Sequence, residues 1–309
     1  MGADVPGSRA GREDAPHPAF ERYAAEPLPQ AAVGSPGKDG VLELRFAATS
    51  GGTRLVHDYA TVPFHLSGTL DYGPPADART VFLQSPTGGV AQGDRHDVTV
   101  EVGPDAIAHV STQSSTKVQS MTQNYAAADT TLSVGRGGHL DYVPEPTILH
   151  ADARYHQDLT LELAPDATAV LSDVLVPGRL ARGERFAFER YLARTRGNGP
   201  DGLLFEETTD LAPAEADPTR PGILGEFSVL GTTLVVAPDE DTAGLSDTLH
   251  AAVADGEGDA GATALPNDAG VLVRALGDRA ETVSETLHAA WDRARRDLVG
   301  APAPSGRKY

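Results

Sequence analysis

The chain has 309 residues, 25 basic against 44 acidic, a net charge of −19 and no cysteine. That balance argues against a nucleic-acid or anionic-lipid partner, since phosphate binding needs clustered basic charge. Missing thiols exclude disulfides and thiolate metal sites, and no apolar run reaches the about 18 residues of a membrane helix.

Only Lys38, Lys117 and Lys308 are lysines, and Asp outnumbers Glu by 27 to 17. Acidity spread along the whole chain with almost no lysine suggests a protein built for high salt, where screening over about 3 Å relieves self-repulsion. The N-terminus, MGADVPGSRAGRED, has no signal-peptide pattern, so a cytoplasmic location is expected.

Residues 1–40 are rich in Gly, Pro and Ala without periodicity and are expected to form a disordered tail before one domain spanning 41–300. Strand patterns begin at Val41–Phe46 and continue at Arg54–Tyr59 and Val62–Leu66. A Pro-rich loop, Asp71–Ala78, precedes the apolar strand Thr80–Leu83. Gly88, Gly89 and Gly93 then read as turn chemistry.

The central feature is a repeat. Asp97-Val-Thr-Val-Glu-Val-Gly103-Pro-Asp-Ala-Ile-Ala-His-Val110 aligns with Asp129–Leu140 and again with Asp158–Leu171, at spacings of 32 and 29 residues. Each copy alternates apolar and polar residues, turns six to eight residues in, and alternates again, which reads as a β-hairpin. Pro-Asp-Ala recurs in register at 104–106 and 165–167. Copies at fixed spacing suggest stacking, each unit burying the face its neighbour leaves open. After the first copy comes a hydroxyl- and amide-rich segment, Ser111–Thr116, ending in Lys117. A lysine retained there is either a surface survivor or part of an interface ion pair that orders the segment.

Further strands are expected at Glu184–Arg196, Gly202–Phe205, Ile223–Leu230, Thr232–Ala237 and Val271–Leu276. A short helix is expected at Leu245–Ala252, followed by a Gly/Ala/Asp-rich loop over Ala251–Ala264. Residues 280–299 place Val283, Leu287, Trp291, Ala294 and Leu298 at helical spacing, acids early and arginines late. Gly300 and Pro302 end that helix, and 301–309 is a tail. Trp291 is expected to pack on the sheet. The fold class that follows is mainly β: stacked β-hairpin repeats in a helical, solenoid-like arrangement, with one or two helices near the C-terminus.

No phosphate-binding Gly loop ending in Gly-Lys-Ser/Thr, no His-Glu-x-x-His and no Gly-x-Ser-x-Gly is present. Several motifs nonetheless fall in a telling order: Gly88-Gly-Val-Ala-Gln-Gly-Asp94, Thr112-Gln113 with Thr116-Lys117, Leu140-Asp-Tyr-Val-Pro144-Glu145-Pro-Thr-Ile148, Gly178-Arg179 with Arg182-Gly183-Glu184, and Trp291 with Arg295. In this order and over roughly Val41–Gly300 the chain resembles the urease accessory protein family UreD, called UreH in some bacteria. The resemblance implies a non-enzymatic cytoplasmic role in inserting nickel into apo-urease, alongside UreF, the GTPase UreG and often the metallochaperone UreE. It also implies a mostly β, helically stacked fold with an internal tunnel, and nickel held only in transit, with no tightly bound cofactor.

Nickel accepts imidazole nitrogen and carboxylate oxygen, and a conduit needs weak successive sites. Asp94, Asp141, Glu184, His139 and His150 are the candidates. Against each stands a plainer role: Asp94 as a cap on a Gly turn, Glu184 as a salt-bridge partner of Arg179 or Arg182. Two other classes stay open: a β-repeat binding protein unrelated to urease, and a hydrolase using Ser111–Thr116.

Overall fold

The computed structural model describes residues 15–28, 39–70, 73–86 and 88–304. In chain order its first strands are β1 (Asp39–Thr49), β2 (Gly52–Ala60), β3 (His65–Leu70), β4 (Arg79–Gln84), β5 (Arg95–Val102), β6 (Ile107–Thr112), β7 (Thr116–Val118), β8 (Ala126–Val134) and β9 (His139–Tyr142). There follow β10 (Thr147–Leu149), β11 (Arg154–Leu163), β12 (Thr168–Val176), β13 (Arg190–Gly199), β14 (Gly202–Leu211), β15 (Val229–Val236), β16 (Asp259–Ala264) and β17 (Gly270–Gly277). The helices are α1 (Glu21–Ala24), α2 (Thr242–Val253) and α3 (Ala280–Leu298).

Two sheets face each other. The seven-stranded first sheet runs β14-β13-β11-β8-β5-β1-β2, with five parallel central strands between antiparallel edges. The ten-stranded second sheet runs β16-β17-β15-β12-β9-β6-β4-β3, with β7 and β10 alongside. Its middle strands, β4, β6, β9 and β12, are also parallel. The chain thus winds from sheet to sheet for about four turns as a β-solenoid.

The repeat sets this winding directly. Asp97 pairs in register with Asp129, and Asp129 with Asp158, so the copies lie side by side as stacked units. Within a unit the two strands do not form a hairpin: β5 belongs to the first sheet and β6 to the second. Period-two alternation is the same for a hairpin and for a corner between sheets, so the pattern alone does not separate them. Each corner is a four-residue turn closed from Ala106 N to Gly103 O, Gly138 N to Gly135 O and Ala167 N to Ala164 O (3.2, 2.9 and 3.2 Å). The third turn residue is left-handed each time, at Asp105, Gly137 and Asp166 (φ 56°, 64° and 59°). Asp and Gly are the residues that tolerate that conformation.

Register also makes layers between the sheets. Next to the corners, Val100, Leu132 and Leu161 form one layer and Val102, Val134 and Leu163 the next, all buried. Gly197 continues the first layer and admits the Phe205 ring, because a Cβ there would stand 2.2 Å from Phe205 Cε1. Towards the strand starts small or polar residues enter the layers: Val98, Thr130, Leu159 and Thr195, then His96, Ala128, Gln157 and Ala193. Close packing fails there.

α3 lies on the outer face of the second sheet, burying Val283, Leu287, Ala290, Trp291 and Ala294 with Leu245, Leu249 and Val253 of α2. The expected C-terminal helix is therefore present almost to the residue, and Trp291 is core. Five expectations need correction. Residues 15–28 are not a structureless tail: Phe20 and Tyr23 bury against Tyr125, Ala127 and Leu192 on the outer face of the first sheet. The remainder of 1–40 before Asp39 lies outside the described residues. The 251–264 stretch is not all loop, since β16 adds an edge strand to β17. The strand expected at Glu184 starts only at Arg190, because 184–189 form a bond-rich connection. The strand placed at Ile223–Leu230 starts at Val229. Ala301 and Ala303 of the expected tail are buried, while 305–309 lie outside the described residues.

Candidate functional site

The polar layers leave a cavity of about 260 Å³ between the sheets. Thr130, Gln157 and Thr195 line it from the first sheet, and Tyr142 and Asp173 from the second. Asp173 lies in β12, where alternation after Leu171 turns it inward. Its Oδ2 is 3.1 Å from the Tyr191 hydroxyl, which is also 2.9 Å from Gln157 Oε1, so one proton is shared between two acceptors. Burial raises the Asp173 pKa, against the Tyr191 and Val174 hydrogen bonds that lower it. Burial, and then Asp173 itself, push the Tyr191 phenol well up, while burial puts Tyr142 at about 12. Charge is costly in this space unless a cation arrives to match it.

The cavity reaches exposed residues at one rim, made by Ser85, Gly88, Ser114 and Lys117. Gly89 holds this rim together: a Cβ on it would stand 2.2 Å from Lys117 O, and Val90 N donates to that carbonyl at 2.8 Å. Gln119 Nε2 donates to Gly88 O at 2.9 Å. The Gly88–Gly89 turn is thus packed against β7.

Beside the rim lies a second cluster. Arg179 binds Glu184 through Nη2 and through Nε at 3.0 Å, and Ala151 N donates to Glu184 Oε1 at 3.0 Å. The Arg179 bond leads the effects that hold the Glu184 pKa below the usual carboxylate range. Gly178 is needed because a Cβ would stand 2.1 Å from Glu184 O, and Gly183 (φ 72°) closes the short helical turn Leu180–Arg182. Burial first, then Arg179, Lys117 and Arg182, depress the pKa of His150.

A third cluster sits under α3. Asp141 has no exposed surface. Its Oδ1 accepts from Trp291 Nε1 at 2.6 Å and lies 3.1 Å from His139 Nε2, and its Oδ2 accepts from Arg295. His139 Nδ1 lies 2.7 Å from Thr168 Oγ1. Arg295 also donates to Pro302 O (3.2 Å) and Pro74 O (2.7 Å). Burial opposes the Asp141 charge, but His139, Arg295 and His109 outweigh it and hold the pKa at about 2.

Of the sequence candidates, His139 and Asp141 therefore meet, and His150 and Glu184 share the cluster beside the rim. Asp94 stands apart, accepting from Ala91 N at 2.8 Å in its own turn, with Gly93 N donating to Tyr125 O at 3.1 Å. None of these five lines the cavity. Gln113 N donates to Leu83 O (2.8 Å) and Glu145 N to Thr112 Oγ1 (2.9 Å), and Pro144 lines the cavity wall. Sequence reasoning missed Asp173; the signal was a carboxylate inside the apolar run Val170–Val176. Among the described residues no three His, Asp or Glu side chains are grouped to hold a metal ion.

A family model described as UreD urease accessory protein matches residues 38–308. The chain belongs to the UreD family. It is 75% identical to the urease accessory protein UreD of Haloarcula marismortui over 296 residues, 96% of this chain and 99% of the relative. It is 47% identical to that of Natronomonas pharaonis (94% and 98% covered) and 33% identical to that of Cenarchaeum symbiosum (90% and 99%). Likeness to a halophile's UreD agrees with the acidic, lysine-poor composition. The five motifs of the UreD resemblance all fall within the matched region. No helix among the described residues is long and apolar enough to cross a membrane.

Proposed function

We propose that this UreD-family chain is a non-catalytic urease accessory protein of the cytoplasm that passes nickel to apo-urease through the cavity between its sheets. It would act with UreF, UreG and, in transfer, UreE. The observation that carries this reading is a cavity inside a UreD-family solenoid in which the Asp173 carboxylate stands among hydroxyl and amide oxygens, with Asp158 and Glu207 also on the wall. Nickel is cargo here. Oxygen donors such as Asp173, Gln157 and Thr130 bind it weakly, which suits passage better than storage. A divalent ion also relieves the cost of burying the Asp173 charge.

Asp94, Asp141 and Glu184 remain candidates beside Asp173, each with a competing structural bond. The test is deletion of the gene and complementation with Asp173→Asn, which keeps shape and a hydrogen-bonding group. The expected outcome is normal pull-down of accessory partners with nickel per urease active site reduced several-fold. Normal nickel content in urease activated by Asp173→Asn overturns the assignment of Asp173 to the path.

A further inference from the structure

Lys117 is the sole lysine among the described residues of a chain whose net charge is −19. It stands exposed on the cavity rim, at the centre of β7, paired in register with Ile148 of β10. Arg182 is exposed nearby at the end of the Leu180–Arg182 turn. Hydrogen bonds tie the two segments together: His150 N donates to Val118 O (2.9 Å), next to Lys117, and Ala151 N to Glu184 Oε1 (3.0 Å), two residues past Arg182. Glu184, the acid within this group, is already held by Arg179. Neither Lys117 nor Arg182 has a carboxylate within 4.0 Å among the described residues, whereas thirteen other arginines do. Ser114 and Ser115 add hydroxyls to the same rim.

We infer that this rim is a docking face for an acidic segment of a partner protein, with Lys117 and Arg182 receiving its carboxylates and Ser114 and Ser115 donating to them. The physical case is charge complementarity. An acidic surface repels an acidic partner everywhere except where its charge is interrupted. Contact ion pairs with hydroxyl support persist in molar salt, which screens charges farther apart than about 3 Å. An ammonium makes a compact point contact that an arginine fork does not reproduce, which fits the retention of lysine at this one described position.

The inference rests on the conduit reading only for what docking achieves. A cationic rim opposes entry of a divalent metal, and a docked carboxylate segment cancels that charge, so docking and passage share one edge. The contact itself is testable without metal. The full chain in 2 M KCl is titrated with a fluorescein-labelled peptide of four Asp-Ala-Glu-Leu units, and with the same peptide carrying Asn and Gln for Asp and Glu. Fluorescence anisotropy is expected to show at least tenfold tighter binding of the acidic peptide. Lys117→Glu with Arg182→Glu should abolish that preference, while Arg54→Glu, exposed on β2 next to the Thr53 contact with Ile107, leaves it unchanged. Lys117→Gln, which removes the charge with little change of bulk, should reduce it severalfold, and circular dichroism melting checks that each variant is folded. Equal affinity for the two peptides overturns the inference, as does a preference that survives in the folded double variant. A failed Asp173→Asn experiment would remove Asp173 from the path and leave this result standing.

Discussion

At the scale of single residues, Asp141 shows how a carboxylate with metal-binding chemistry can be committed elsewhere. Its two oxygens receive an indole N–H and a guanidinium and meet an imidazole nitrogen, all out of water. Removing one partner of such a pair leaves a buried charge uncompensated, at a cost of about 3–5 kcal/mol. Asp141→Asn is therefore expected to lower stability by about that much in urea titrations at molar salt. A loss under about 1 kcal/mol would show that the Arg295 charge finds relief without Asp141. The acid limit follows from the same residue. Its folded pKa of about 2 lies below the ordinary 3.8, so its contribution is complete above pH 3.8 and fades as pH falls towards 2. That is about 2 kcal/mol, and Trp291, the chain's single tryptophan, reports the loss by fluorescence.

At the scale of elements, the strap 15–28 has its own chemistry. His17 Nδ1 accepts from Ala19 N at 3.2 Å, and Glu26 accepts from Asn124 N (2.7 Å) and Arg154 (2.8 Å). Phe20 stacks on His156 at 5.4 Å, with the His17 ring 5.5 Å from the same imidazole. His156 Nε2 has no hydrogen-bond partner among the described residues. Burial lowers the His156 pKa to about 4, with Asp158 opposing and His17, Arg194 and Arg95 assisting. The docked strap thus binds fewer protons than the released one. Its docking is expected to weaken as pH drops below 6.5 and to level off near 4. Hydrogen exchange of residues 15–28, taken relative to the intrinsic amide rate at each pH, should rise between pH 7 and pH 5 while β11 stays protected. Phe20→Ala should give the raised exchange already at pH 7, and a strap equally protected at both pH values would refute this account of its anchoring.

At the scale of the whole molecule, the in-register Asp97, Asp129 and Asp158 put like charges on neighbouring strands of the outer sheet face. Arg194 and Arg196 answer Asp158. Opposed like charges destabilise a sheet unless salt screens them. Circular dichroism is expected to show native structure lost as salt falls from molar levels to about 0.1 M, and a signal indifferent to salt would refute the halophilic reading. The same three aspartates show what the sequence made legible. Their spacing and the Pro-Asp-Ala turns revealed the stacked unit, because a left-handed turn residue and period-two alternation leave marks in composition. Corner and hairpin share those marks, so only pairing between units told them apart. Phe20 and Tyr23 were hidden in a Pro/Gly/Ala-rich background. The cavity was invisible because it depends on which residues of five strands fall into one layer.

The Asp141–Arg295 pair also bears on the order in which the protein can be completed during synthesis. Its partners are 154 positions apart in the chain, and the Arg295 contact with Pro74 spans 221. Each solenoid turn can stack on the one before as it leaves the ribosome, since its contacts reach back about 30 residues. The carboxylate placed midway must then wait under an exposed sheet face, matched only by His139, until Arg295 has been made. A nascent chain stalled before Arg295 would hold a finished stack of turns with an open outer face. α3 is the element that closes it.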